Sequence, residues 1–432
     1  MRRVLIISPH FPPTNAPDMQ RVRMSLPFYR ENGWEPVVLA VDSAVVEAPV
    51  DPLLAETVPA DVPVHRVGAW PVKAARRLGL GNIGYRAWLR IKAEGDRLLA
   101  GEKFDLVYFS TTQFVVTALG RRWRRRFGVP FVVDLQDPWQ TDYYDRPGAP
   151  PPPGGWKYRF ARWQAARMEG PAWRDAAGFT AVSADYLTEL GGRYPWFAAK
   201  PSAVVPFGAP ETDFEKARAQ PGLLPAFVRI EGKLHLVSVG AAGPIMRRAL
   251  ERLFSGVQAM RAVDPGAAAR LRFHFIGTSY APAKGREPSV RPVAEEFGVG
   301  DLVEERPERV GYFTALKTML AADAVVITGS DDMAYNPSKT AACFLARKPV
   351  LALTPPGSAL DRMVSALGFA VVAPFPARGG VDPVSQFLQQ VLDGKTALPA
   401  TRAEETFASL HTARARTRQQ CALFDQAVEK RR

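Results

Sequence analysis

Short apolar runs recur along this chain, separated by stretches with helical spacing or turn-forming residues. That alternation constrains the fold more than any other feature, because neighbouring parallel strands can be joined only by a long crossover, usually a helix. In the first half the runs fall at residues 4–7, 37–41, 64–67, 104–110, 131–135, 179–183 and 203–206, with a helical pattern over 114–127. In the second half they fall at 234–239, 272–276, 324–327, 350–353 and 370–372, with a helical pattern over 244–262. Between Gly208 and Lys233, Pro and Gly are frequent and periodicity fades, as expected of a domain boundary. A last helical stretch, 402–430, has no strand after it. The fold class is therefore α/β. Two doubly wound, Rossmann-like domains, residues 1–207 and 208–401, are expected to face each other across a cleft.

Open parallel sheets bind ligands beyond the carboxyl ends of their strands, so the loops there carry the chemistry. The strand at 324–327 leads into Thr328-Gly329-Ser330-Asp331-Asp332-Met333-Ala334-Tyr335-Asn336-Pro337-Ser338-Lys339. A helix is expected to open at Pro337 or Ser338, residue types suited to a first helical position and a cap. Lys339 then opposes the helix dipole at a cost of up to about 1 kcal/mol, a conflict that a bound phosphate would remove. The alternative is a solvated lysine on a surface turn. After 234–239 comes Gly240-Ala241-Ala242-Gly243-Pro244, where Gly240 and Gly243 allow close backbone approach, and Arg247 and Arg248 repeat the misplaced cation. Two such loops in one domain suit a diphosphate, which needs several donors as a leaving group gathers charge. Asp331 and Asp332 are placed either to bind ligand hydroxyls or only to cap their loop.

In the first half, residues 8–17 form a long turn-rich loop containing His10, which is either a structural histidine or a catalytic contact. Asp18 is expected to cap a helix over 19–32, kinked at Pro27 and closed by Gly33. Asp137 ends the strand at 131–135, facing the ligand side or capping the turn before Pro138, whereas Asp134 points the other way along the pleat and reads as structural.

Composition removes several classes. Nowhere do about 20 apolar residues run together, as a membrane-spanning helix needs, and the apolar start is too short for a signal peptide, so a cytoplasmic protein is expected. Cys343 and Cys421 alone supply neither a disulfide framework nor a cysteine zinc site, and the five histidines are scattered, so no metal is expected. The net charge of +13 is uneven: residues 66–126 hold 14 Lys/Arg against 4 Asp/Glu. Basic residues interleave with aromatic ones at 121–127, at 156–163, and around Arg76, Arg77, Arg86, Trp88, Leu89 and Arg90. Such segments suit an anionic membrane surface, or else a solvated helix face whose aromatics pack inward. No nucleic-acid motif accompanies them.

Ile7-Ser8-Pro9-His10-Phe11-Pro12-Pro13, Gln20-Arg21, the stretch from Val133 to Trp139, Val205-Pro206-Phe207-Gly208, and Pro337-Ser338-Lys339 through Ala346-Arg347-Lys348-Pro349-Val350 occur in that order. With them the chain resembles a family 4 glycosyltransferase of the GT-B fold along nearly its whole length. The resemblance implies an enzyme: a metal-independent, retaining glycosyltransferase of hexosyl or N-acetylhexosaminyl type, with a nucleotide sugar as co-substrate and no other cofactor. It implies a donor site in the C-terminal domain, with Lys339, Arg247 or Arg248, Gly240, Gly243 and Ser338 at the diphosphate and Asp331 or Asp332 at the sugar or ribose. It implies a glycan or lipid-linked acceptor on the N-terminal domain, met by Asp137, His10 and the loop residues Asn15, Asp18 and Arg21. It also implies that 402–430 returns to the first domain; together with the basic and aromatic segments, the expected setting is cell-envelope polysaccharide synthesis, peripheral on the inner membrane face. Two departures stand out. Ala16-Pro17-Asp18 replaces a paired glycine, and Ala334 and Ala342 occupy the positions of two glutamates that family members usually carry. A nucleotide-sugar epimerase of the same fold, or a non-catalytic nucleotide- or glycan-binding protein, is the alternative.

Overall fold

The computed structural model describes the chain except for residues 78, 146–154, 280–286, 334, 336, 338, 377–381, 397–400 and 430–432. It divides into two compact units, residues 1–208 with 413–432, and residues 209–412.

Unit 1 holds seven strands, β1 (Arg2–Ile7), β2 (Trp34–Val41), β3 (Val64–Val67), β4 (Leu106–Ser110), β5 (Phe131–Leu135), β6 (Gly178–Ala181) and β7 (Ser202–Val204). They form one sheet in the order β3-β2-β1-β4-β5-β6-β7, every neighbouring pair parallel. Strand side chains alternate between faces, and both faces here are apolar. Leu5 and Ile7 of β1, with Val37, Leu39 and Val41 of β2, enter one core, while Val4, Ile6, Val38 and Ala40 enter the other. The second core is completed by the helix Ala413–Glu429, whose Phe424 stacks on Tyr29 and meets the edges of Trp34 and Tyr108. The helical stretch expected over 402–430 is thus two helices. Thr401–Leu410 stays in unit 2, where Phe407 stacks on Phe344 at 3.9 Å, and only Ala413–Glu429 joins unit 1.

The helix expected over 19–32 is also corrected. Residues 17–32 are a short α-helix, Gln20–Ser25, flanked by single 3-10 turns, one of them containing Pro27, and Gly33 ends the series at φ +81°. Proline there removes an N–H donor, which interrupts the α-helical ladder. Asp18 lies within the first 3-10 turn and makes no capping bond; its carboxylate is used elsewhere.

Unit 2 holds β8 (Leu234–Val239), β9 (Leu271–Ile276), β10 (Val303–Arg306), β11 (Ala324–Thr328), β12 (Val350–Thr354) and β13 (Val371–Pro374), all parallel, in the order β10-β9-β8-β11-β12-β13. In both sheets the strand order reverses beside the first strand, between β1 and β4 and between β8 and β11. At such a switch point the loops leave the sheet in opposite directions and open a crevice at the carboxyl ends.

A buried polar chain ties β8, β9 and β10 together. The Ile230 amide donates to His235 Nε2 at 3.0 Å, so the His235 proton sits on Nδ1 and points at His274 Nε2, 2.8 Å away. His274 Nδ1 then faces the Glu304 carboxylate at 3.0 Å, and Phe227 stacks on both rings. Burial disfavours the charged imidazoles and holds both pKa values below 6.5. The unfolded chain therefore binds protons first on acidification, and this chain's contribution to stability is complete above pH 6.5 and falls as pH drops below it. The protection factors of the β8 and β9 amides, with the intrinsic pH dependence of exchange divided out, are expected to fall between pH 7 and 5.5 in the native protein. In His274→Gln protection should be lower throughout but less dependent on pH; an unchanged pH dependence would remove the histidines from this role.

Candidate functional site

The β1/β4 switch point of unit 1 gathers a polar cluster. The loop after β1 is fixed by its backbone: the Ser8 amide donates to the Leu39 carbonyl, Asn15 to Pro49 at 2.7 Å, and Arg66 reaches the Pro12 carbonyl at 2.6 Å. These bonds bring His10 and Asp18 together, with Nδ1 donating to Oδ1 at 2.8 Å. The other carboxylate oxygen of Asp18 accepts from Thr111 Oγ1 at 3.1 Å, and from the Thr112 amide and Oγ1 at 3.2 Å each, on the loop after β4. Gln136, after β5, donates to the Asp18 carbonyl.

Burial works against charge on both partners, but the opposite charge and the shared bond outweigh it. His10 is raised above its usual value and Asp18 is lowered below its own. The pair is thus a charged, oriented imidazolium–carboxylate around neutral pH. Asp137 reaches solvent beside it, yet the protein around it disfavours its charged form, and the negative charge of Asp18 adds to that, so its carboxyl is pushed up to about 6. Shifted ionisable groups gathered at a strand-end crevice mark a candidate site.

Arg21, expected at the acceptor, is elsewhere. It is buried, paired with Asp134 at 2.7 Å, and donates to the Val205 carbonyl at 2.5 Å beneath the Phe207 ring. Asp134 accepts in addition from Ser110, Gln136 and Thr180. An isolated buried charge is so costly that the two groups serve each other. Asn15 is buried, and its amide N–H is committed to Pro49.

The β8/β11 switch point of unit 2 places Lys339 against the end of β8. Its Nζ donates to the Val239 carbonyl at 3.3 Å, and a Cβ added to Gly240, which has φ +130°, would stand 3.3 Å from that nitrogen. A hollow of about 70 Å³ here is lined by residues including Gly240, Thr328, Tyr335, Lys339 and Thr340. Burial, and after it the positive charge of Arg309, lower the Lys339 pKa to about 8. Arg309, between β10 and the helix Tyr312–Ala321, is a cation of this site that no sequence pattern marked, since its loop has neither periodicity nor a glycine motif. Two cations in crowded surroundings are an electrostatic invitation to an anion.

The other donor-site expectations fare differently. The helix after β11 is Thr340–Leu345, not one opening at Pro337 or Ser338, so Lys339 is its N-cap residue. Ser338 and Ala334 lie outside the described residues. Gly243 has an extended backbone with open space around it, so only Gly240 needs to be glycine. Arg247 is held by Glu251 at 2.8 Å and Glu296 at 2.6 Å, and Arg248 pairs with Asp331 at 3.5 Å. None of these four lines the hollow beside Lys339, and neither does Asp332. Glu251, one helical turn on, and Glu296 and Asp331 from other elements answer these arginines, which removes the dipole conflict that marked them. Ala342 is a buried apolar residue of the short helix. Among the described residues no group of His, Cys, Asp and Glu is arranged to hold a metal, and no helix is long and apolar enough to cross a membrane.

The basic segments differ as well. Arg121 and Arg125 pair with Asp175, Arg122 and Arg126 with Asp96, and Arg86 is buried against the carbonyls of Trp70 and Val45. The helix Trp156–Trp173 instead exposes Phe160 and Trp163, each about half accessible at 53% and 52%, among Arg159, Arg162 and Arg167.

The model of the glycosyl transferase 4-like domain matches residues 20–208, nearly all of the first segment of unit 1. No curated protein sequence matches the chain. Solved structures match it end to end in fold. HepE from Anabaena, solved in complex with UDP, is 15% identical with a TM-score of 0.56 over 98% of both chains. The α,α-trehalose 6-phosphate synthase of Burkholderia multivorans is 13% identical with a TM-score of 0.59 over 100% of both. WaaG, a glycosyltransferase involved in lipopolysaccharide biosynthesis, is 14% identical with a TM-score of 0.53 over 99% of both. The chain thus carries a glycosyl transferase 4-like domain over residues 20–208 and, over both units, the GT-B fold of these solved structures.

Proposed function

We propose that this protein moves a hexosyl or N-acetylhexosaminyl group from a nucleotide-diphosphate sugar to a hydroxyl of a glycan or lipid-linked acceptor, with retention of configuration. The observation that carries the reading is Lys339, a cation disfavoured by its own surroundings, seated at the β8 end beside Gly240 with Arg309 near it. An entering diphosphate relieves that conflict, and relieves it most when the glycosidic bond breaks and charge gathers on the phosphate. A similar fold solved with UDP supports a nucleotide as the ligand. Retention needs no side-chain nucleophile if the departing phosphate takes the acceptor proton; His10, held by Asp18, and Asp137 orient the acceptor hydroxyl. The exposed aromatic and basic face of Trp156–Trp173 supports work at the inner face of an anionic membrane.

A second reading, a binding protein without turnover, is favoured by one feature: Ala342 stands where relatives usually carry a glutamate. A thermal-shift series with nucleoside diphosphates and nucleotide sugars, followed by assay of nucleotide release, separates the readings. A ligand that binds only the folded state raises its melting temperature. Transfer requires a diphosphate-dependent rise and nucleoside diphosphate released only when acceptor is present. Isomerised nucleotide sugar without release would mean an epimerase, and a shift without turnover on any acceptor would mean the binding protein.

A further inference from the structure

A cavity of about 650 Å³ lies wholly within unit 1, and the cluster described above does not account for it. Its size is that of a pocket for a small ligand rather than a surface groove. One wall is Thr112 and Gln113, where Thr112 is one of the residues that hold the Asp18 carboxylate. Another is Trp139, two residues beyond Asp137. His10, Asp18 and Asp137 do not line the cavity themselves; Thr112 and Trp139 join it to their cluster.

Its lining has two chemistries. The first is flat and rigid. Trp139 is braced by Phe114 at 5.6 Å and Trp173 at 5.4 Å, and the Tyr85 hydroxyl is fixed on Gln164 at 2.5 Å. Aromatic faces held in this way stack on the C–H surface of a sugar ring, while amides such as Gln113 and Gln140 suit its hydroxyls. The second is cationic. Arg76, Arg77 and Arg162 line the cavity, and no described lining residue is acidic. Exposed carboxylates outside the lining meet two of them, Glu47 at 3.1 Å from Arg76 and Asp145 at 2.6 Å from Arg162. Arg77 has no carboxylate partner among the described residues. Guanidinium groups offer forked donors matched to phosphate and carboxylate.

We infer that this cavity takes the acceptor, and that the acceptor is an anionic saccharide: a sugar ring stacked on Trp139 with a phosphate or carboxylate group held by Arg76, Arg77 and Arg162. The inference rests on the transfer reading and adds to it the charge and class of the acceptor. Phosphate would come from a sugar phosphate, the form a lipid carrier presents; carboxylate would come from a uronic acid.

The test is calorimetric binding of glucose 1-phosphate, methyl glucuronide and methyl glucoside to the whole chain without donor, at 50 mM and 300 mM salt. At least one anionic sugar is expected to bind 10-fold or more tighter than methyl glucoside, with the advantage shrinking at high salt. The anion that wins identifies the source. Arg77→Gln should lower that preference by 5-fold or more and Arg77→Lys should restore part of it. Arg270→Gln, an equal charge change on an exposed residue of unit 2, should leave it intact. Equal binding of neutral and anionic sugars, no binding by any of the three, or equal effects of the Arg77 and Arg270 changes would overturn the inference. UDP binding, followed in the same variants, keeps the two readings apart: UDP bound normally with no anionic preference sinks the cavity assignment alone, whereas loss of UDP binding from the native protein sinks the transfer reading itself.

Discussion

Lys339→Ala is expected to weaken UDP binding by about 10-fold or more and to slow transfer by about 10²–10³, the range for losing one preorganised donor at a site of developing charge. Binding of uridine, which has no phosphate, should change little. The argument starts in the protein without ligand. There the ammonium group donates to one backbone carbonyl, while burial and Arg309 push its pKa down to about 8. For a lysine this sign means that the folded state resists the charge, so the charge lowers stability at neutral pH and is given up as pH climbs through 8. A bound diphosphate reverses the balance and pulls the pKa back up. UDP affinity of the native protein should therefore fall between pH 7 and 9, and Lys339→Ala should lose that dependence. The same variant should not melt earlier than the native protein by more than the small loss of its aliphatic stem contacts. Isothermal titration across this pH range decides the matter: parallel losses for UDP and uridine, or a pH dependence that survives the substitution, would show that Lys339 does not hold phosphate.

Lys339 was legible in the sequence because it stood in the wrong place for a helix, and the strand before it could be read from Ala324 to Ile327 alone. The same rule misjudged Arg247 and Arg248. They oppose a dipole too, but Glu251, Glu296 and Asp331 answer them, and two of those three partners lie on other elements that sequence spacing cannot bring near. Arg21 failed for a related reason. A cation beside a polar loop looks available until the fold buries it on Asp134, 113 positions away in the chain. Thr111, Thr112 and Arg309 gave no signal, since hydroxyls and loop arginines are too common to mark a site. At the level of the fold, buried strands were easy because both faces are apolar. β10 (Val303–Arg306) was missed because it is an edge strand of one valine followed by Glu304, Glu305 and Arg306. The last helical pattern hid a break because nothing in its periodicity shows that the chain passes from one unit to the other between Thr412 and Ala413.

Asp18→Asn carries the other large expectation, a loss of about 10²–10⁴ in turnover, the usual range for a positioned acid–base group. Its carboxylate accepts four hydrogen bonds and faces only donors. An amide in its place turns an N–H₂ towards either His10 or the Thr111 and Thr112 donors, which costs about 1–3 kcal/mol and loosens the imidazole. The charge effect is separable from the geometric one. Removing the negative charge lowers the pKa of every neighbour it raised. His10, now above 6.5 because attraction to Asp18 exceeds the penalty of burial, should drop below its present value. Asp137, pushed to about 6 first by its crowded surroundings and then by Asp18, should fall as well. The pair contributes stability in full from about pH 4, above the depressed Asp18 pKa, to about 6.5, and loses it as pH rises through the elevated His10 value. Both limbs of the activity profile are thus expected to shift towards acid in Asp18→Asn, and the His10 ring resonances, followed by NMR, should titrate lower by a measurable margin. His10→Gln separates the roles: it removes the histidine limb but leaves Asp137 under the charge of Asp18, so only one side of the profile should move. If the His10 titration is the same with Asn at position 18, the ion pair does not set the charge state of this site, and the assignment of His10 to the acceptor falls with it.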